Sequence, residues 1–161
     1  MTVSSTDFKA ALSRWPSGVT VVTVPEGDGH RGTTVSAFSS VSLDPPLVLV
    51  APSNDSGFLA VLSSGVKVFA VNILAASQAD VSRLCAGADR SGLGEVAYTV
   101  GCNGCALING ALVQMECSVQ SIVPAGDHHV VFGLVSRVLY SNDSPLVYWS
   151  RRYGVFTPTQ L

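Results

Sequence analysis

The hydrophobic pattern of this chain changes period within its first twenty-four residues. Phe8, Ala11, Leu12 and Trp15 recur at the spacing of one helix face, Ser5 or Thr6 stands where an N-cap is needed, and Pro16 with Gly18 ends the run. A helix is predicted there, with its apolar face packed on a sheet. From Val19 to Val24 the residues are β-branched and read as a strand, Pro25 to His30 is turn-rich, and Arg31 to Ser42 returns as the second arm of a hairpin. Leu47 to Ala51 and Val66 to Asn72 read as further strands, Asp55 to Leu62 as a short helix, and Ala76 to Cys85 as a second full helix. The Gly-, Asp- and Ser-rich stretch Ala86 to Glu95 predicts an exposed loop. Long strands over Ala111 to Val123 and Val130 to Tyr140 flank a tight connection, Pro124 to His128, and the pairs Leu146 to Trp149 and Tyr153 to Phe156 close the chain. Many strands on hairpin-scale connections, with two or three short helices, predict a mainly β protein built as an antiparallel barrel, in one domain over residues 1–161. There is no linker, internal repeat or low-complexity segment.

Composition sharpens this picture. With 161 residues, 47% hydrophobic and only 12% charged, the chain can bury a large core, which excludes a disordered protein. The mean hydropathy is +0.41, yet no apolar run approaches the roughly 20 residues of a membrane helix, so the excess apolar surface is expected to meet a second subunit. The net charge of −2 and the scatter of Lys and Arg leave no basic stripe for nucleic acid. Met1 to Asp7 lack the charged flank and apolar core of a secretory signal, and a cytoplasmic location is the default expectation.

Cys102-Asn103-Gly104-Cys105 has the spacing of half a zinc site or of a redox dithiol. Cys85 and Cys117 are too isolated to complete a zinc site, and the surrounding Gly residues read as a turn entering a strand rather than the start of a helix, so free thiols are expected.

The candidate chemistry lies elsewhere, in Gly32-Thr33-Thr34-Val35-Ser36-Ala37-Phe38-Ser39-Ser40-Val41-Ser42-Leu43-Asp44-Pro45-Pro46. Six hydroxyl side chains fall within ten residues, Thr33 to Ser42. Short hydroxyl side chains offer neutral hydrogen bonds while letting a ligand approach the backbone; the same composition suits the wet face of an antiparallel strand. The residue order distinguishes the two. This segment resembles the flavin-binding region of the short-chain flavin reductases. In the same order as in that family follow Phe8 to Thr23 upstream and, downstream, Phe69 to Leu74, Leu112 to Cys117, Gly126-Asp127-His128 and Pro145 to Tyr148.

The resemblance implies an FMN-binding split barrel of Greek-key type and an NAD(P)H:flavin oxidoreductase acting as a homodimer. Such an enzyme uses FMN or FAD with NADH or NADPH and supplies reduced flavin to a separate monooxygenase. Hydride transfer between two rings needs orientation and exclusion of water rather than an acid–base triad, and the chain shows no Ser/His/Asp or Cys/His constellation. By resemblance, Thr34, Val35, Ser36 and Ala37 line the isoalloxazine edge, and Ser40 and Ser42 continue that wall. Pro52, Ser53, Asn54 and Ser56 hold the ribityl and phosphate; as plain residues, Asn54, Asp55 and Ser56 also suit helix capping. His128 is the candidate for the nicotinamide side, as the residue that orients the hydride donor, whereas His129 points to the opposite face.

Two departures from the family stand out. Asp55 replaces the basic residue that many relatives place near this Ser, so Arg83 or Arg90 is a candidate for the missing positive charge, each also readable as a surface arginine. After Asp89-Arg90 the usual aromatic residue is absent, with Ser91-Gly92 in its place. Near the end, Tyr148, Trp149, Arg151, Arg152 and Tyr153 form a cationic and aromatic cluster suited to stacking on a dinucleotide and pairing with its pyrophosphate, Arg152 and Tyr153 above all, or to serving as a structural strand end. Two further readings keep the same residues: a flavoprotein that retains its flavin as an electron carrier or binding module, and a barrel kept only for interaction.

Overall fold

The computed structural model describes residues 2–86 and 93–159. The chain opens with α1 (Ser5–Leu12), β1 (Ser17–Gly18), β2 (Thr20–Glu26), β3 (Gly29–Val35), β4 (Phe38–Leu43) and β5 (Pro46–Val50). Then come α2 (Gly57–Ser63), β6 (Val68–Ile73), α3 (Ala79–Ala86), β7 (Tyr98–Val100) and β8 (Ala106–Ile108). The long strands β9 (Val113–Ala125) and β10 (His128–Tyr140) precede β11 (Leu146–Trp149) and β12 (Arg152–Val155).

Seven strands form one antiparallel sheet in the order β3-β2-β6-β9-β10-β5-β4. Its two edge strands, β3 and β4, are neighbours in the chain, separated only by Ser36 and Ala37. Laid flat, seven strands would hold their edges roughly 29 Å apart. The link from Val35 to Phe38 spans at most about 11 Å. The sheet must therefore curl until its edges meet at one end, which makes the antiparallel split barrel that the sequence predicts. The hairpin reading of Arg31 to Ser42 as one arm is corrected here: the hydroxyl-rich run breaks at Ser36-Ala37, and its halves lie on opposite edges of the sheet.

Both faces of the central strands are covered, which explains their unbroken apolar runs. From β2, Val22 and Val24 enter the barrel interior with Val50, Val71, Val131, Phe58 and Phe69. Val19 and Val21 face outward against Leu74, Ile108 and Leu146. Ser56 caps α2 by accepting from Leu59 N–H (3.2 Å), and the helix plugs the barrel with Phe58, whose ring meets Phe69 edge-on at 5.8 Å.

The β7–β8 hairpin is too short to show a pattern, and buried polar groups fix it to the outer face. Thr23 Oγ1 donates to Ala106 O (2.6 Å), and Asn72 Oδ1 accepts from Ile108 N–H (2.8 Å). Glu116, 2% exposed, accepts from Asn103 N–H (2.6 Å) and pairs with Arg137 (3.3 Å). The Cys102 to Cys105 turn is thus anchored structurally, and all four thiols are free.

Three further expectations change. Ser4 rather than Ser5 or Thr6 caps α1, accepting from Asp7 N–H (3.1 Å), and the helix buries no residue, leaving Phe8, Leu12 and Trp15 at 53%, 56% and 75% exposure. Within the chain its apolar face has no sheet to cover it. Leu93, at one end of the expected Ala86 to Glu95 loop, is buried beside Gly32, where an added Cβ would lie 2.3 Å from its side chain; residues 87–92 lie outside the described residues. The connection after β9 is tighter than expected, with only Gly126 and Asp127 outside the strands and Gly126 at φ 67°.

Burial pushes the Cys105 and Cys117 thiols up to about 12 and that of Cys85 to about 11, against an ordinary 9.0. Because these groups ionise earlier in the unfolded chain, stability is expected to fall as pH rises from about 9 towards 12. Urea titrations across that window check the sign. At pH 8 a thiol reagent should label Cys102 alone in the native protein and all four cysteines after denaturation.

Candidate functional site

Where β3 and β4 part, a cavity of about 180 Å³ opens, lined by residues 33–37, 51–53, Ser56 and His128. Three remote segments meet in it: the β3–β4 link, the stretch between β5 and α2, and the start of β10. The Ser36 and Ala37 carbonyls accept from Phe38 N–H (3.1 Å) and Ala51 N–H (3.0 Å), which pins the kink with its small side chains exposed to the cavity. Thr34 Oγ1 is spent on Ser82 O (2.7 Å). Thr33 Oγ1 is buried and, among the described residues, is the only buried side-chain polar atom with no hydrogen-bond partner. Such an atom costs free energy until something pairs with it, and its residue is among those that line the cavity.

His128 is set rigidly. Ser53 bridges to it across an isolated antiparallel contact, His129 N–H donates to Pro52 O (3.0 Å), and Asn54 N–H donates to Asp127 O (3.0 Å). Asn54 Nδ2 also reaches Gly126 O (3.3 Å), and its Oδ1 accepts from His129 Nδ1 (2.8 Å). Asn54 thus clasps the β9–β10 turn instead of lining the cavity. A carboxylate only accepts, so His128 Nδ1 donates to Asp127 Oδ1 (2.7 Å), leaving Nε2 uncommitted. That hydrogen bond and the charge of His128 hold the Asp127 carboxyl below its usual range.

Ser56 lines the cavity and caps α2 at once. Asp55 stays out of the lining; its Oδ1 accepts from Ser53 Oγ (2.6 Å). Beside this end lies a cation that the sequence reading missed. Arg31, its side chain only 17% exposed, pairs with Glu26 through Nη2 (2.9 Å) and Nε (3.0 Å) and crosses the first residue of α2 so closely that a Cβ on Gly57 would lie 2.5 Å from Nη1. Strand alternation was the available signal, since Arg31 and Thr33 share a face of β3. Ala51, also missed, lines the cavity after β5.

The other predicted residues lie apart. Ser40 and Ser42 sit on β4 away from the cavity. Arg83, on α3, pairs with Asp80 and lies over the Tyr153 ring, 5.0 Å from its centroid. Arg90 lies outside the described residues. Tyr153 donates to or accepts from Ser82 Oγ (2.9 Å) and packs on Tyr148 (5.3 Å) beside a neighbouring cavity, also of about 180 Å³, that reaches Thr34 and Ser36. Arg152 is exposed on β12 and lines no cavity, whereas Arg151 borders a larger one of about 420 Å³ that shares Ser36 and Ala37 with the first. These three cavities therefore converge on the β3–β4 link, and among the described residues their walls carry no carboxylate.

Comparison with known proteins agrees with this geometry. The flavin reductase like domain family matches residues 12–157. The reductase component of 4-hydroxyphenylacetate 3-monooxygenase from Thermus thermophilus is 42% identical over 147 residues, covering 91% of this chain and 93% of that protein. A flavin reductase from Pseudomonas putida is 35% identical, covering 92% and 88%. Among solved structures, the NADH:FAD oxidoreductase SgcE6 of Streptomyces globisporus C-1027 superposes with a TM-score of 0.90 at 30% identity over 99% of each chain. With the barrel, the hydroxyl-lined cavity at its seam and this match over nearly its full length, the chain belongs to the flavin reductase family.

Proposed function

We propose that this protein is an NAD(P)H-dependent flavin reductase that passes reduced flavin to a separate monooxygenase. One observation carries the reading: the β3–β4 link, the Pro52 to Ser56 segment and His128 converge on one cavity whose wall holds the unpaired Thr33 hydroxyl. These residues fit a flat, polar-edged ring.

The Thr34 to Ala37 backbone lies along the ring edge, where Ala37 is small enough to admit close approach, and Thr33 Oγ1 gains its missing partner. Ser53 and Ser56 serve the ribityl and phosphate end, and Arg31 at the start of α2 supplies the positive charge for which Arg83 and Arg90 were candidates. The flavin supplies a ring that accepts hydride from a nicotinamide. His128, held by Asp127 and by the Pro52 to Asn54 clasp, orients the donor. Among the described residues no carboxylate lines the cavity, and the nearest, Asp55 and Asp127, are hydrogen-bonded to Ser53 and His128.

FMN or FAD, with NADH or NADPH, is the expected substrate set. The reductase component from Thermus thermophilus supports the monooxygenase partner. The uncovered apolar face of α1 supports a homodimer, to be checked by sedimentation, and four free thiols support a reducing, cytoplasmic compartment. Residues 1–161 are proposed as one flavin reductase-like domain.

Steady-state oxidation of NADH and NADPH with riboflavin, FMN and FAD tests the activity. Flavin-dependent oxidation is expected; flavin binding without turnover would mean a carrier, and no binding would leave an interaction module.

His128→Ala should raise KM for the nicotinamide and leave flavin affinity nearly unchanged; equal losses in both would refute the orienting role. Thr33→Val should stabilise the ligand-free protein by about 1 kcal/mol in urea titrations while weakening flavin binding several-fold. A destabilised variant would mean that the hydroxyl already has a partner.

A further inference from the structure

The hairpin between β11 and β12 is built against the preferences of its own residues. Trp149 pairs with Arg152, so Ser150 and Arg151 form a two-residue turn. Both have positive φ, 48° and 61°. Such a turn favours Asn-Gly, because a Cβ is strained in the left-handed region, and a glycine at the second position would remove that strain. The turn is held in place by Ser150 N–H donating to Ser13 O (2.8 Å) and Trp149 Nε1 donating to Arg14 O (3.1 Å), which lock it to the end of α1.

Strain that persists at the edge of a cavity points to use. Arg151 borders the 420 Å³ cavity, whose other walls include Leu12, Trp15, Phe38 and Tyr148 and which meets the first cavity at Ser36-Ala37. Among the described residues it is the only Arg or Lys in the lining of either cavity, and that lining contains no Asp or Glu. Aromatic walls suit a nucleobase, and a guanidinium suits the paired oxygens of a phosphate group.

We propose that Arg151 is a specificity-determining residue that binds the pyrophosphate of a dinucleotide lying in the larger cavity. The inference rests on the reductase reading above. Two substrates of such an enzyme carry a pyrophosphate, the nicotinamide dinucleotide and FAD, whereas FMN has a single phosphate and riboflavin none. A ligand whose ring lies against Ser36-Ala37 extends its other half across that shared wall towards Arg151.

Arg151→Gly separates binding from structure because it removes the guanidinium and the strain together. Three quantities are measured on it: KM for NADH with FMN as acceptor, the Kd values of FAD and riboflavin by fluorescence titration, and Tm. The expected result is a rise of about tenfold in the NADH KM, the FAD Kd or both, with kcat and the riboflavin Kd within about twofold. Tm should rise by about 2–4 °C. Arg151→Lys, which keeps the charge and the strain, should retain most of the affinity at an unchanged Tm. A loss confined to NADH assigns the cavity to the nicotinamide dinucleotide, and one confined to FAD assigns it to the flavin. Unchanged NADH and FAD values overturn the proposal, as does a lowered Tm with riboflavin binding lost in parallel, which would make the turn purely structural. If the unsubstituted protein oxidises neither nicotinamide with any flavin, it is the reductase reading that fails, and titrations of FAD, NADH and riboflavin binding to the two proteins decide the role of Arg151: unchanged Kd values for FAD and NADH overturn it.

Discussion

Two residues hold the architecture together. Ser36 and Ala37 join the outermost strands of a seven-stranded sheet, and no flat arrangement lets so short a link reach from one edge to the other. Closing the sheet there makes the barrel. It also leaves a seam where the ladder is interrupted and backbone lies next to open space, and the ligand cavities gather around that seam. The constraint that forms the fold is thus the one that forms the site. Because the link must be small and sharply bent, the residues that satisfy the geometry are also those that let a ring come close to main-chain atoms.

Around the seam the molecule spends buried polar groups on position. Asn72, Glu116, Asn103 and Thr23 bind the β7–β8 hairpin to the outer face of the sheet, and Asn54 binds the β9–β10 turn to the segment that lines the cavity. Leaving a group of this kind unpaired costs about 1–3 kcal/mol, and the structure avoids that cost nearly everywhere. Thr33, the exception, stands in the cavity wall. The turn of Ser150 and Arg151 is a second local cost next to a cavity. Both lie at residues that line a cavity, and local rules are broken most often at functional sites.

Much of this was legible in the residues. The β-branched runs gave strands because they are covered on both faces, the order of the hydroxyl-rich segment and of Gly126-Asp127-His128 pointed to a flavin, and Thr34 to Ala37, Pro52, Ser53, Ser56 and His128 do come together in one cavity. Asn54 is a ligand contact by the family resemblance of its segment, yet here its amide bonds the turn that carries His128 and it stays out of the cavity lining. Arg83 was chosen for its charge, which Asp80 and Tyr153 occupy. For Arg31, alternation along β3 gives only the face it shares with Thr33; that it crosses Gly57, twenty-six residues away, is set by the fold.

By itself the sequence determined the class of fold, the family and the run of residues that lines the seam cavity, since local pattern and residue order encode strands, turns and a contiguous segment. Tertiary structure alone decided that the hydroxyl run is split between two sheet edges, that the α1 face stays uncovered within the chain, that Arg31 crosses the start of α2 while paired with Glu26, and that Arg151 borders the larger cavity. The reason is physical: the partners a side chain meets are remote in the chain, and only the closing of the sheet brings them within about 3 Å.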